Sequence, residues 1–80
     1  MQTNLKLMTQ IYNMNTDDIR SLAYEYIRQG IPSRAIQCFE RLLWLGSLRR
    51  REYLRLVAMY PKRHNVAIKR IIERYKAIYK

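Results

Sequence analysis

The sequence predicts an all-α protein, a small bundle of helical hairpins with four or five helices. Apolar residues recur at intervals of three and four through most of the chain, which is the spacing of one helix face. Only two glycines and two prolines interrupt its 80 residues, and hydrophobic residues make up 49% of them, enough for a core. We therefore expect residues 1–80 to form a single helical domain in three parts, residues 1–15, 16–46 and 47–80.

The first part, residues 1–15, predicts a short N-terminal helix. Thr3 or Asn4 is a suitable N-cap, and the segment 13–15 marks a break after the helix. The expected apolar residues are Leu5, Met8, Ile11 and Tyr12. The pattern leaves open whether this helix caps the bundle or mediates dimerisation.

The second part, residues 16–46, is the clearest helical hairpin of the chain. Thr16 is a suitable N-cap for its first helix, and Gly30 suits the turn that ends this helix. Pro32 fits the first turn of the second helix, and Gly46 ends it. The expected apolar face of the first helix is Ile19, Leu22, Ala23, Tyr26 and Ile27. That of the second is Ala35, Ile36, Cys38, Phe39, Leu42 and Leu43.

The third part, residues 47–80, predicts a second hairpin. Ser47 is a suitable cap for a helix over 48–60 that Pro61 ends, and Asn65 is a suitable cap for a last helix over 66–79. The expected apolar residues of these two helices are Leu48, Tyr53, Leu56, Val57 and Tyr60, then Ala67, Ile68, Ile71, Ile72, Tyr75 and Ile78.

The two hairpins form an internal repeat. Aligning Ile19 with Tyr53, an offset of 34 residues, also pairs Leu22, Ala23 and Tyr26 with Leu56, Val57 and Tyr60. A period near 34 with two helices per unit is typical of helical-hairpin repeats.

Residues 16–79 resemble tetratricopeptide and pentatricopeptide repeats. The first likeness lies in Leu22, Ala23, Tyr26, Gly30, Ala35, Phe39 and Leu43; the second lies in Tyr53, Leu56, Val57 and Tyr60 with Gly30, Ala35, Phe39, Leu42 and Gly46. The resemblance implies stacked hairpins that bind a protein in the first family and RNA in the second. Arg20 and Leu54 stand where pentatricopeptide proteins carry a small polar residue that reads a base, so we do not expect coded base reading.

Charge is the main functional signal. The formal net charge is +10, and all of it lies in residues 41–80, since residues 1–40 carry as many acidic as basic side chains. Such self-repulsion opposes compact folding unless a polyanion relieves it, and nucleic acid is the commonest polyanion. The expected phosphate-binding residues are Arg49, Arg50, Arg51, Arg55, Lys62, Arg63, Lys69, Arg70 and Arg74. A solvated face that serves only solubility is the alternative.

Three aromatic residues are interface candidates. Trp44 stands just before the arginine run, Tyr24 lies off the apolar stripe of its helix, and Tyr79 lies at the basic C-terminus. Each side chain is suited to stacking on a base or docking against a protein.

Several classes of function are not expected. The chain has one cysteine, Cys38, and one histidine, His64, so the sequence predicts no disulfide, no metal site and no cofactor. It contains no pair of acid and base residues and no activated nucleophile, so we do not expect an enzyme. No apolar run approaches the ~20 residues of a membrane span, and no signal peptide is evident. The expected location is intracellular (cytoplasmic, nuclear, organellar or within a virion) rather than secreted.

The leading hypothesis is a small basic nucleic-acid-binding protein, RNA slightly favoured, acting as an accessory of a ribonucleoprotein or nucleocapsid. The alternative is a tetratricopeptide-like adaptor, or a viral or phage regulator, that binds an acidic surface of a partner protein. Homo-oligomerisation stays open, and no membrane partner is expected.

Overall fold

A computed structural model describes residues 5–79, without the side chains of Leu5, Lys6 and Met8. These residues form five helices: α1 (Leu5–Tyr12), α2 (Thr16–Arg28), α3 (Pro32–Trp44), α4 (Arg50–Met59) and α5 (Asn65–Ile78). The predicted all-α fold is confirmed, since the described residues contain helices and turns and no strand. None of the helices in this range is long and apolar enough to cross a bilayer.

Helix α3 is the centre of the bundle, because it packs against each of the other four helices. Its inner face consists of the buried residues Ala35, Ile36, Cys38, Phe39, Leu42 and Leu43, which are the six that the sequence predicts. The most extensive contact in the described bundle is between α2 and α3. On α2, Ile19 and Ala23 are fully buried.

The ends of α2 and α3 are built in the same way. Gly30 and Gly46 have φ angles of 74° and 73°, a left-handed conformation that side chains rarely adopt. After α2, the Gly30 amide donates to the Ile27 carbonyl and the Ile31 amide to the Tyr26 carbonyl. This Schellman arrangement satisfies the last carbonyls of the helix, and the same pattern follows α3. The predicted turns at both glycines are therefore confirmed.

The starts of α2, α4 and α5 differ from the predictions by one or two residues, whereas α3 begins at the predicted Pro32. Asn15, not Thr16, is the N-cap of α2, and its side chain accepts a hydrogen bond from the Asp18 amide at 2.9 Å. Helix α5 begins at Asn65, with His64 in the cap position, so the predicted Asn65 cap is wrong by one residue.

Helix α4 begins later than predicted, at Arg50 with Arg49 in the cap position. The predicted first residue, Leu48, lies before the helix and is almost fully buried. The chain must therefore insert Leu48 into the core before it can start the helix. Ser47, the predicted cap, lies in this extended connection.

Helix α1 lies on α3 and buries Leu7 and Ile11, which are one helical turn apart. Tyr12 was expected on this apolar face, but its side chain is 64% exposed. It lies about 100° around the helix axis from Ile11, and α1 ends there. The caps expected at Thr3 or Asn4 lie outside the described residues.

Helices α4 and α5 form the second hairpin and run in opposite directions. The Tyr53 ring, early in α4, stacks on Tyr75, late in α5, with centroids 3.9 Å apart and planes 5° apart. Tyr79 continues the stack from Tyr75 at 4.5 Å. This three-tyrosine stack joins the start of α4 to the end of α5.

Candidate nucleic-acid interface

The surface of the α4–α5 hairpin is more basic than the sequence alone indicates. Between residues 49 and 79, the exposed cations are Arg49, Arg50, Arg51, Arg55, Lys62, Arg63, Lys69, Arg70 and Lys76. Glu73 is the one exposed carboxylate in this range, because the other acidic residue, Glu52, is buried. Arg74, the remaining member of the predicted set, is half-buried.

Glu52 lies under the arginine run, where its carboxylate receives three hydrogen bonds. The Arg20 Nε donates at 2.8 Å, the Arg49 backbone amide at 3.0 Å and the Tyr24 hydroxyl at 3.2 Å. The Arg20 guanidinium also donates to the Ser47 carbonyl. Glu52 is 1% exposed, so this group of residues is an internal bridge from α2 to the start of α4.

The charges of this bridge stabilise each other. Burial acts to raise the pKa of Glu52, but the hydrogen bonds from Arg20 and the Arg49 amide outweigh it, and the pKa lies below its ordinary value. The hydrogen bond to Glu52 raises the pKa of Arg20. Both groups are therefore ionised in the folded protein near neutral pH.

The bridge explains how three consecutive arginines are tolerated at a helix start. Cations in the first turn oppose the helix dipole, whereas a carboxylate there is favourable. Glu52 occupies the third position of α4 and accepts a hydrogen bond from the cap amide. Its negative charge therefore stabilises the start of the helix, where the arginines oppose the helix dipole. Arg49, Arg50 and Arg51 remain free to face solvent.

Tyr24, one of the three predicted aromatic candidates, belongs to this bridge. Besides its hydrogen bond to Glu52, its ring packs edge-on against Phe39 at 5.7 Å. The guanidinium of Arg55 lies 5.8 Å from the ring centroid. Burial and the neighbouring carboxylate raise the pKa of the hydroxyl.

The predicted basic set does not form one compact patch. Arg49, Arg50 and Arg51 lie at the start of α4, while Lys62 and Arg63 lie in the turn after its end. A ten-residue helix is about 15 Å long, so the two groups are separated by roughly that distance. The charges follow the length of the hairpin, as several successive phosphates of one backbone require.

Trp44, the second predicted aromatic candidate, lies in a groove between α3 and α5. The groove has a volume of about 230 Å³ and is lined by Glu40, Leu43, Trp44, Ala67, Arg70, Ile71 and Arg74. The Arg74 guanidinium lies 4.2 Å from the Trp44 ring centroid, and the ring is still 62% exposed. Burial raises the pKa of the Glu40 carboxyl, which accepts a hydrogen bond from the Tyr60 hydroxyl.

Two residues beside this groove were not predicted from the sequence. The Arg41 guanidinium lies 3.9 Å from the centroid of the exposed Tyr12 ring. Arg41 precedes Trp44 by three positions on α3, so the two side chains are neighbours on the helix surface. The sequence offers no signal for the Tyr12–Arg41 pair, since its members are far apart in the chain.

The remaining candidates have structural surroundings. Tyr79, the third aromatic candidate, is half-buried in the tyrosine stack, and burial raises the pKa of its hydroxyl. Cys38 is fully buried, which raises the pKa of its thiol to about 11. Among residues 5–79, no three His, Cys, Asp or Glu side chains come close enough together to hold a metal ion.

No protein-family model matches the chain, and neither does any curated protein or solved structure.

Proposed function

We propose that the protein binds the phosphate backbone of nucleic acid through the exposed face of the α4–α5 hairpin. The observation that carries the proposal is the excess of exposed cations between residues 49 and 79, a segment with a single exposed carboxylate. Arginine predominates among them, and its planar guanidinium donates two parallel hydrogen bonds to a phosphate. RNA is slightly favoured because of the resemblance to an RNA-binding repeat family. An accessory role in a ribonucleoprotein or nucleocapsid fits a protein of this size and charge.

The first prediction concerns the arginines at the start of α4. We expect the double variant Arg50→Gln/Arg51→Gln to bind more weakly, because it neutralises fewer phosphates and so releases fewer counterions on binding. The slope of log affinity against log salt is negative, and it should become shallower by about 2, one for each contact that is lost. Fluorescence anisotropy with labelled RNA and DNA, single-stranded and duplex, at several salt concentrations measures both quantities.

The matched control is Arg28→Gln/Arg34→Gln, which removes the same charge from exposed positions around the α2–α3 turn. Arg34 lies ten residues before Trp44 on α3, about 15 Å from it along the helix axis. An equal loss of affinity in the control would mean that net charge alone matters and that the hairpin face is not the site. Failure of the folded wild-type protein to bind any of the four probes at low salt would refute the proposal.

The chemistry of the α3–α5 groove favours a second candidate, an adaptor that binds an acidic segment of a partner protein. Its lining combines apolar side chains with Glu40, Arg70 and Arg74, a mixed chemistry suited to a peptide. A pulldown with and without nuclease separates the two functions. A partner protein that is retained after nuclease treatment supports the adaptor, whereas a partner lost with the nucleic acid supports backbone binding.

A further inference from the structure

Four side chains form a continuous row across α1, α3 and α5, in the order Tyr12, Arg41, Trp44 and Arg74. Each guanidinium lies over an aromatic ring, Arg41 at 3.9 Å from the Tyr12 centroid and Arg74 at 4.2 Å from the Trp44 centroid. Arg41 and Trp44 are neighbours at positions i and i+3 of α3, which joins the two pairs. We refer to these four residues as the aromatic–arginine row.

Both rings of the row are available to a ligand. Tyr12 is 64% exposed and Trp44 is 62% exposed, although large aromatic side chains usually bury most of their area. A cation–π contact to a ring that is largely exposed is weak, so a guanidinium that covers such a ring can be displaced by a flat ligand. The rings are therefore covered only by groups that can move aside.

Both arginines of the row have unused donors. The Nε atoms of Arg41 and Arg74 are shielded from solvent, yet neither has a hydrogen-bond partner. Neither guanidinium takes part in the ion pairs found among residues 5–79, which join Arg20 to Glu52 and Arg28 to Glu25. A shielded donor without a partner is unfavourable, and an anionic acceptor would satisfy it once the guanidinium moves off the ring.

The charges around the row favour an anion. Arg70 lines the groove one turn before Arg74 and is exposed. The acidic groups on α3 and α5 are Glu40 and Glu73. The Glu40 carboxyl accepts a hydrogen bond from the Tyr60 hydroxyl, and Glu73 is exposed. Arg41, Arg70 and Arg74 therefore outnumber the two carboxyl groups, which leaves an excess of positive charge at the row.

We propose that the aromatic–arginine row binds single-stranded nucleic acid, with a base stacked on Trp44 and the neighbouring phosphates held by Arg41, Arg70 and Arg74. Alternating rings and cations match the alternating bases and phosphates of a single strand. A duplex buries its base faces in its own stack and offers nothing to the rings. The inference rests on the proposed function and narrows its ligand from any phosphate backbone to an unpaired strand.

Trp44 is also the probe for the test, because it is the only tryptophan in the chain. An unlabelled single-stranded oligonucleotide of about 12 nucleotides, within the usual site size of single-strand binders, is titrated into the protein at low salt. The matching duplex and a poly-glutamate peptide of equal charge are titrated separately. We expect the single strand to quench the tryptophan emission and the other two polyanions to leave it largely unchanged.

Two variants complete the experiment, with affinities measured by anisotropy of labelled strands. Trp44→Leu should weaken single-strand binding by about fivefold or more and leave duplex binding as it is. Trp44→Tyr keeps an aromatic face and should retain most of the affinity. Because Trp44 is largely exposed, both variants should fold, which circular dichroism and thermal melting check.

The possible outcomes separate this inference from the proposed function. Equal binding of single strand and duplex, unchanged by Trp44→Leu, would overturn the inference and leave backbone binding intact. Quenching by poly-glutamate as strong as that by the oligonucleotide would also overturn it, because charge alone would then explain the effect. Binding of neither nucleic acid at low salt would refute the proposed function itself.

Discussion

Glu52 shows how one residue changes the electrostatics of a whole face. In the sequence it is one of two acidic residues in the basic half of the chain, and it looks like a partial balance for the arginines around it. In the structure it balances Arg20 from α2 instead, inside the protein. Residues 49–72 therefore present exposed cations and no exposed carboxylate, which strengthens the field that a phosphate meets there.

We expect Glu52→Gln to lower the free energy of unfolding by about 2–3 kcal/mol, because it leaves a mostly buried guanidinium without its counter-charge. Urea denaturation near neutral pH measures the change. Glu73→Gln is the matched control, since Glu73 is exposed and makes no ion pair in the described structure, and its midpoint should stay that of the wild type.

The pH dependence of this difference has a definite sign. The pKa of Glu52 lies below its ordinary value of 4.5 in the folded state, so the unfolded state binds the proton first as the pH falls. The stability that Glu52 contributes is complete above about pH 5 and decreases as the pH falls through 4.5 towards the folded pKa. The gap between wild type and Glu52→Gln should therefore shrink in acid. A gap that stayed constant down to about pH 3 would show that the carboxylate charge is not what stabilises the bridge.

Single residues of the candidate site were predictable where their own type decides their position. Arginines such as Arg50 and Arg51 are exposed because a guanidinium without a partner stays in water, and the sequence predicts this. Arg20, Arg41 and Glu52 were not identified, because their environments depend on partners from other helices. Spacing along one helix carries no information about a ring or a carboxylate on another.

At the scale of the helices, the ends were easier to predict than the starts. A helix that ends in a left-handed turn requires glycine at one position, so Gly30 and Gly46 mark those ends unambiguously. Several polar residue types are suitable at the N-cap position, so the sequence does not decide between neighbours such as Asn15 and Thr16. Core packing then shifts the boundary further, as the burial of Leu48 does for α4.

The turn between α2 and α3 gives a prediction at this scale. A Cβ at Gly30 would meet no atom within 4 Å, so substitution there is opposed only by the φ angle of 74°. We expect Gly30→Ala to lower the free energy of unfolding by about 1 kcal/mol, since an L-residue is strained in that conformation. Gly30→Asn should have a smaller effect, because asparagine tolerates left-handed backbone better. Urea denaturation compares the two variants, and a stabilised Gly30→Ala protein would show that the turn adopts another conformation in solution.

At the scale of the whole molecule, the exposed charges are unevenly distributed among the helices. The exposed carboxylates Asp17 and Asp18 lie at the start of α2, while the exposed cations are concentrated on α4 and α5. The internal pair of Arg20 with Glu52 removes one charge of each sign from the surface and leaves the net charge of +10 unchanged. The exposed cations of α4 and α5 therefore repel one another in the folded state.

That repulsion predicts how stability responds to salt and to a polyanion. Between about 20 mM and 300 mM NaCl the Debye length falls from about 20 Å to about 6 Å, so screening should raise the melting temperature. Buried contacts such as the bridge at Glu52 are screened much less and should not reverse this trend. A fall in melting temperature with salt would mean that attraction between surface charges outweighs their repulsion.

An oligonucleotide should raise the melting temperature at low salt, because it binds the folded hairpin face and relieves the same repulsion. At a hundredfold excess over its dissociation constant, the stabilisation is about 2.7 kcal/mol, or roughly 10 °C or more for a domain of this size. At about 300 mM NaCl most of the shift should disappear, since counterion release no longer drives binding. The Arg50→Gln/Arg51→Gln variant should show a smaller shift at low salt than its control Arg28→Gln/Arg34→Gln. Differential scanning fluorimetry measures all of these, and an oligonucleotide shift that persisted unchanged at high salt would require a binding mode that does not depend on the exposed cations.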